Sequence, residues 1–220
     1  YKTVTKVYNK NELKPFEDLD IRVYIKGNKT TPDKDLTEGE DFTVSYEKNL
    51  NVGRGKLVFT GINVYTGVVK KDIKITAYSL ATKVDNRVRI EPIGTVTYLK
   101  GGCKPVITVK DGEDELVLGK DYTVAYANNT KVHDGQATKP PTVTITGKGN
   151  YTGKMTATFD IEASDMANIT MTASDVTYQN KANICKPVIK LTDSDGKALA
   201  AGTDYEKTIT YRYAKDTLVS

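Results

Sequence analysis

The sequence has no tryptophan, a single histidine and only two cysteines among its 220 residues. Sugar-binding surfaces commonly rely on exposed aromatic rings, so the lack of tryptophan counts against a carbohydrate-binding platform. The one histidine, His133 in a polar stretch, cannot supply a repeated Cys-His site or a conventional zinc cluster. No apolar run approaches the roughly 18 residues that span a bilayer. We therefore expect no membrane insertion in this fragment.

An excess of charge of one sign is also lacking. The 32 basic and 28 acidic residues give a net charge of +4, and the two signs are interspersed. Nucleic-acid-binding proteins usually concentrate basic residues on one face, so we expect no nucleic-acid partner.

The chain begins at Tyr1, without an initiating methionine or a signal peptide, and we interpret it as a fragment of a longer precursor.

Three short phrases recur along the chain and indicate an internal repeat. They are Lys-Pro at the opening of a β-rich run, Gly-x-Asp-aromatic, and Thr-Gly followed by Tyr-Thr-Gly. Successive aspartates of the second phrase are separated along the chain by about the number of residues in one small β-domain. This is far more than the number of residues in a solenoid repeat. The copies are LKPFEDLDIRV (from Leu13), CKPVITVKD (Cys103) and CKPVIKLTD (Cys185); GEDFTVSY (Gly39), GKDYTVAY (Gly119) and GTDYEKTITY (Gly202); TGINVYTG (Thr60) and TGKGNYTG (Thr146).

Apolar residues alternate with polar ones in several stretches, which predicts half-buried strands. No stretch shows a helical stripe with caps. The 14 tyrosines and 17 glycines also favour strands and tight turns. We predict an all-β chain whose units each contain six or seven short strands, as in a β-sandwich. The predicted inward faces are Tyr122, Val124 and Tyr126; Val143 and Ile145; and Met155, Ala157, Phe159 and Ile161.

The phrases divide the chain into three predicted domains. Residues 1–78 form repeat 1, which lacks its first strand or part of it, and residues 79–163 form a complete repeat 2. Residues 164–220 form repeat 3, which lacks a counterpart of the segment from about Thr142 to Ile161. A sandwich without these strands would expose unpaired edges. Repeat 3 is therefore either truncated or completed by a strand from another copy or chain.

The TGKGNYTG phrase has two interpretations. Gly-rich phosphate cradles need a following helix, but a strand pattern follows here. We favour a chain reversal in which Gly147, Gly149 and Gly153 adopt positive φ. Tyr151 would then bind nearby backbone through its hydroxyl, as a tyrosine corner does.

The recurring aspartates are also predicted to act in turns. Asp41, Asp121 and Asp204 each stand alone beside a glycine and an aromatic residue, so their oxygens are expected to accept backbone N–H groups. A glycosidase would need a second carboxylate across the scissile bond.

The stretches DGEDE (111–115) and DSDGK (193–197) have some features of calcium loops, but the full ligand pattern is absent and hairpin turns are favoured.

The two cysteines occupy the same position in different copies. Leu13 takes that position in the first copy, which favours a small buried hydrophobic residue over a disulfide. Equivalent sites in successive domains would also have to approach within about 7 Å to form a bridge. We predict that Cys103 and Cys185 are free, buried thiols.

Lysines recur before the proline of the first phrase, at Lys14, Lys104 and Lys186. One interpretation is a charge that protects a strand edge from aggregation. The alternative is an intramolecular isopeptide bond to a nearby Asn or Asp, which requires a buried lysine. Lysine is rarely fully buried.

At these phrases the chain resembles the bacterial immunoglobulin-like repeats of Gram-positive cell-surface and secreted proteins. The second copy resembles them best, while the first departs at Ile62 and Val64 and the third matches only in its front half. The matching residues of the second copy are Lys104-Pro105, Gly119, Asp121-Tyr122, Tyr126, Asn128-Asn129 and Gly147–Gly153.

The resemblance implies tandem immunoglobulin-like β-sandwich domains outside the cell, at the cell surface or wall, that serve as stalk or adhesive modules. The implied partner is a host or matrix protein or a glycan. The resemblance supplies no catalytic residues, cofactor or metal, and the oligomeric state stays open. The alternative is an accessory carbohydrate-binding module of a secreted polysaccharide-degrading enzyme. An enzyme is not expected, because paired acids, metal clusters and nucleophile-base sets are lacking.

Overall fold

A computed structural model describes residues 3–82, 86–133, 135, 139–177 and 186–211. The chain is nearly all β, with 41% strand and 4% helix, and the strands form several sheets. The predicted all-β class is confirmed. The helices in these residues are one four-residue turn, α1 (Pro15–Asp18), and a 3-10 turn at Met166–Asn168. Within the described ranges, no helix is both long and apolar enough to cross a membrane.

Eighteen short strands are present in the described part of the chain. Those of the first half are β1 (Val4–Val7), β2 (Tyr24–Ile25), β3 (Lys34–Asp35), β4 (Phe42–Glu47), β5 (Gly53–Gly61), β6 (Val68–Thr76), β7 (Tyr78–Ser79), β8 (Val88–Ile90) and β9 (Val96–Thr97). Those of the second half are β10 (Val109–Asp111), β11 (Asp114–Glu115), β12 (Tyr122–Ala127), β13 (Thr142–Gly147), β14 (Tyr151–Thr152), β15 (Lys154–Thr158), β16 (Ile161–Glu162), β17 (Thr170–Ala173) and β18 (Ile189–Thr192).

The chain forms two compact units. Unit 1 contains residues 1–90, 108–125 and 144–156, and unit 2 contains residues 91–107, 126–143 and 157–220. The division into three repeats at residues 78 and 163 stays a prediction.

Unit 1 is built around a four-stranded sheet in the order β1-β6-β5-β4. Strands β4, β5 and β6 are antiparallel, while β1 runs parallel to the end of β6, with Val4 opposite Ile73. The core against this sheet is formed by Leu13, Leu57, Ile73 and Ile75. The described residues of unit 1 form four further strand pairings, which are β2 with β3, β8 with β10, β11 with β10, and β7 with β14.

The start of the first Lys-Pro phrase differs from the prediction. Instead of opening a strand, Pro15 begins α1. The reason is local, because proline is preorganised for the first helical position and Glu17 and Asp18 favour the positive end of the helix dipole. The ring of Phe16 then packs edge-on against the rings of Phe42 and Phe59.

Unit 2 contains a smaller core. Cys103, Phe159 and Ile161 are buried together, and Val96 and Tyr126 pack against them. Strand β9 runs parallel to β16, and β17 pairs antiparallel with β18.

The predicted alternation is confirmed in the strands where it was strongest. Strands β12, β13 and β15 form a three-stranded sheet in that order. In β12, Tyr122, Val124 and Tyr126 are less exposed than their neighbours, and in β13 Val143 and Ile145 are fully buried. The period of two residues therefore identified these faces because each strand buries one side only.

Candidate functional site

The three aspartates of the Gly-x-Asp-aromatic phrase close the same turn. Each Oδ2 accepts a hydrogen bond from the backbone N–H of the residue four positions earlier, at 2.7 to 2.9 Å. This confirms the predicted role. The donors are Thr37 to Asp41, Val117 to Asp121 and Ala200 to Asp204.

The glycines of the TGKGNYTG phrase play two different roles. Gly149 and Gly153 have φ of +65° and +79°, as predicted for a chain reversal. The prediction is wrong for Gly147, whose φ is not positive. A Cβ at Gly147 would lie 2.6 Å from the backbone N of Thr152, so this position needs glycine for close approach.

Tyr151 also differs from the prediction. Its hydroxyl does not bind backbone but donates to Oδ2 of Asp111 at 2.7 Å. The ring lies edge-on to that of Tyr8, with centroids 5.6 Å apart. Tyr151 is therefore part of a polar cluster in unit 1 rather than a tyrosine corner.

The centre of this polar cluster is the carboxylate of Asp111, which is 1% exposed. Arg87 binds it in a bidentate manner, with Nε at 2.6 Å from Oδ1 and Nη2 at 2.7 Å from Oδ2. The same guanidinium donates to the backbone oxygen of Tyr8 at 3.1 Å and lies 4.5 Å from the ring centroid of Tyr78. Charge-assisted bidentate pairs of this kind are among the stronger protein hydrogen bonds.

Local structure places each member of the Asp111 cluster. Asp111 ends β10 just before Gly112, whose φ of +62° begins the turn into β11. The backbone N–H of Gly112 donates to the carbonyl of Arg87 at 2.8 Å, which holds the guanidinium beside the carboxylate. On the other side, Tyr151 in β14 lies opposite Tyr78 in β7.

A lysine completes the Asp111 cluster at its edge. Lys10 Nζ donates to the backbone oxygen of Asp111 at 3.0 Å and forms an ion pair with Asp114. Lys10 therefore binds the turn between β10 and β11 at two points.

The contacts in the cluster raise the pKa of two of its members. The hydrogen bond to Asp111 raises the pKa of Arg87, so the guanidinium stays charged. Burial, and then the hydrogen bond to Asp111, raise the pKa of Tyr151 well above its usual range. Groups that hold their protons so firmly are poor proton donors at neutral pH, because a catalytic pKa lies near the working pH.

A related arrangement occurs in unit 2 around Asp193, which is also buried. Its carboxylate accepts the backbone N–H groups of Lys100, Asp195 and Lys197 at 2.8 to 3.1 Å. Lys100 Nζ lies 2.6 Å from Oδ2 of Asp204, and this hydrogen bond lowers the pKa of Asp204. The carboxylate of Asp193 thus organises the turn that follows β18, whereas that of Asp111 binds side chains from other parts of the chain.

The predicted hairpin turns at residues 111–115 and 193–197 are confirmed. Asp111 pairs with Asp114 across the first turn, and the N–H of Asp193 donates to the carbonyl of Lys197 across the second. In the described ranges, no group of three or more His, Cys, Asp or Glu side chains is placed to hold a metal ion.

The other candidate residues lie apart from the Asp111 cluster. Cys103 is a free, buried thiol as predicted, whereas Cys185 lies outside the described residues. The side chain of His133 is buried, although the stretch around it is polar, and its Nδ1 lies 3.0 Å from Asp160 Oδ1. Its Nε2 is also buried and has no hydrogen-bond partner among the described residues.

The three recurring lysines are all exposed. Lys14 precedes α1 and lies 3.4 Å from Glu17. Lys104 and Lys186 precede β10 and β18 in segments without regular structure. Their exposure does not meet the burial that an isopeptide bond needs.

No protein-family model, curated protein or solved structure matches the chain. The resemblance to bacterial immunoglobulin-like repeats therefore stays a prediction.

The first test of the Asp111 cluster is the substitution Asp111→Asn. It removes the charge that compensates the partly buried guanidinium of Arg87, and we expect a loss of about 3 kcal/mol in the free energy of unfolding. Asp114→Asn is the matched control, because Asp114 is 70% exposed and its ion pair should contribute less than about 1 kcal/mol. Urea denaturation measures the free energy of unfolding of both variants. Equal losses of this free energy in Asp111→Asn and Asp114→Asn would contradict the role of Asp111.

The raised pKa of Tyr151 predicts a loss of stability in alkali. In the unfolded chain Tyr151 ionises near pH 10, while in the folded chain it stays protonated, so unfolding becomes more favourable above about pH 10. Between about pH 10 and 11, the parent chain should lose about 1 kcal/mol more than Tyr151→Phe, and the difference in slope should approach about 1.4 kcal/mol per pH unit at higher pH. Urea denaturation at several pH values gives the two slopes. Identical slopes would show that Tyr151 does not resist ionisation in the fold.

Proposed function

We propose that the chain is a non-catalytic structural or adhesive segment of a larger bacterial surface protein. In this proposal its strands form tandem immunoglobulin-like β-sandwich domains outside the cell, at the cell surface or wall, as the sequence resemblance implies. The observation that carries the proposal is the set of hydrogen bonds in unit 1 that connects the two sides of the first predicted domain boundary. A stalk needs such connections, because modules on flexible linkers do not hold a common direction.

The segment at this boundary is itself part of a strand pair. Tyr78 N–H donates to the carbonyl of Asn150 at 3.0 Å, and Leu80 N–H donates to that of Thr152 at 2.7 Å. Leu80 is also 1% exposed. A flexible linker has a solvated backbone with few contacts, so these bonds support a stiff connection.

Side chains add further contacts across the boundary. Asn150 accepts the N–H of Val52 through Oδ1 and donates to Oδ1 of Asn51, both at 2.9 Å. Arg87 joins Asp111 to the backbone of Tyr8, as described above. The connection therefore has several polar contacts of well-defined geometry, which restrict rotation.

The same contacts favour a role without catalysis. The charged groups of the Asp111 cluster are committed to one another, and its carboxylate is enclosed by Arg87 and Tyr151. A catalytic acid or base must instead reach a substrate proton.

Spin labels can test whether the connection in unit 1 is stiff. Val64→Cys and Val117→Cys place labels at exposed positions, 82% and 53% exposed, on either side of the predicted boundary. Cys103 is buried, and Cys185→Ala removes the other thiol. Double electron–electron resonance should give a narrow distance distribution in this background and in Asp114→Asn. It should give a broader one in Asp111→Asn, with circular dichroism confirming that the strands remain.

A broad distribution with Asp111 intact would contradict the stalk proposal. A narrow distribution in Asp111→Asn, with the strands retained, would show that other contacts stiffen the connection and that the cluster is dispensable for it.

One observation favours the alternative, an accessory carbohydrate-binding module. Tyr24 is 43% exposed and lines an open groove in unit 1 together with Tyr65. However, the guanidinium of Arg22 lies 4.4 Å from the ring centroid of Tyr24, so one ring face is already occupied. This leaves less of the ring for stacking on a sugar.

A glycan array separates the two proposals. If the chain is a structural segment, the parent and Tyr24→Ala should give the same background signal. Val64→Ala is the control for a change at an exposed position away from the groove. Reproducible glycan binding that Tyr24→Ala abolishes and Val64→Ala retains would support the carbohydrate-binding module instead.

A further inference from the structure

The hairpin of β2 and β3 in unit 1 has an open outer edge. Leu36 N–H donates to the carbonyl of Val23 at 2.9 Å, and Tyr24 lies opposite Asp35. Residues in an antiparallel pair alternate between hydrogen-bonded and non-hydrogen-bonded positions. The backbone N–H and C=O of Tyr24 therefore point away from β3. Among the described residues, β3 is the only strand paired with β2.

The matching hairpin of β10 and β11 carries a third strand on that edge. Leu116 N–H donates to the carbonyl of Val109 at 2.8 Å, so Val109 corresponds to Val23 and Lys110 to Tyr24. Strand β8 pairs antiparallel with the outer side of β10, with Arg89 opposite Lys110. The edge that is open at Tyr24 is thus occupied at Lys110.

The third copy of this hairpin repeats the arrangement. Leu199 N–H donates to the carbonyl of Leu191 at 2.8 Å, so Leu191 corresponds to Val109. Strand β17 pairs antiparallel with β18 and places Met171 opposite Leu191. Two of the three hairpins therefore have an antiparallel strand on the edge that β2 leaves open.

Apolar side chains beside the open edge form a groove of about 670 Å³. Its walls include side chains that remain partly or largely exposed, such as Val69 at 53%. In the occupied hairpin, Val109 is fully buried, whereas Val23 is only partly buried. The main apolar residues lining the groove are Val23, Phe42, Phe59, Tyr65, Val68 and Val69.

We propose that this edge and groove bind an extended peptide strand that runs antiparallel to β2 and carries apolar side chains at alternate positions. Strand β8 shows the pattern, since Val88 and Ile90 flank Arg89. In the same register, the central residue of the bound strand exchanges two backbone hydrogen bonds with Tyr24, and its apolar neighbours lie beside Val23 and Ile25. Binding by strand addition draws affinity from the main chain and specificity from alternate side chains. The proposal does not depend on the proposed function.

A peptide that copies residues 86–93, NRVRIEPI, tests the proposal by fluorescence anisotropy with the full chain. Two further peptides carry one backbone N-methyl group, either at the residue copied from Arg89 or at that copied from Ile90. In the proposed register, the N–H of the residue copied from Arg89 faces Tyr24, and the N–H of the residue copied from Ile90 faces away from β2. We expect saturable binding of the parent peptide, at least roughly tenfold weaker binding with the first methyl group, and little change with the second.

Variants of the protein locate the binding site, because the peptide could also displace β8 from β10. Val69→Lys places a charge in the groove and should weaken binding, whereas Val64→Lys changes an 82% exposed residue outside the groove and should not. Absence of saturable binding, equal effects of the two methyl groups, or binding that Val69→Lys leaves unchanged would each overturn the proposal.

Sedimentation of the chain alone tests a second copy as the occupant. If the chain forms a dimer that the substitution Val69→Lys dissociates but the added peptide does not dissociate, the peptide proposal is overturned. A monomer, or a dimer that the peptide dissociates, supports it.

Discussion

The ion pair between Arg87 and the buried carboxylate of Asp111 is the interaction on which the arrangement of unit 1 depends. Removing a carboxylate from water costs several kcal/mol, which only good geometry and further hydrogen bonds offset. Here the bidentate guanidinium and the hydroxyl of Tyr151 supply both. Because these groups come from distant parts of the chain, one carboxylate sets the positions of β8, β10 and β14 together. The cluster therefore holds these three strands in fixed positions relative to one another.

Much of the fold could be predicted from the sequence because its determinants are local. A period of two residues identifies a strand that buries one face, as at Val143 and Ile145. The turn at Asp121 is equally local, since its carboxylate binds an N–H only four residues earlier. The same reasoning failed at Pro15, where the preference of proline for the first helical position prevailed over the expected strand.

The Asp111 cluster could not be predicted in this way, because its members are separated by long stretches of chain. Tyr151 lies 40 residues from Asp111, and Arg87 lies 24 residues away. Nothing in the short phrase around Tyr151 distinguishes a side-chain acceptor from a backbone one. A usable signal was nevertheless present in the sequence, since Asp111 and Asp193 occupy the same place after the Lys-Pro phrase of their copies. An acidic residue that recurs at the end of an apolar strand indicates a buried polar contact more strongly than one in a polar loop does.

The parallel pairing of β1 with β6 has a mechanical consequence. Val4 to Val7 lie opposite Ile73 to Thr76, and the two strands run in the same direction. If the polypeptide is pulled from both sides, tension enters at the start of β1 and leaves at the end of β6. The ladder between them is then loaded in shear, so its hydrogen bonds must break together rather than one after another. Such a geometry resists extension far better than a hairpin peeled from its open end.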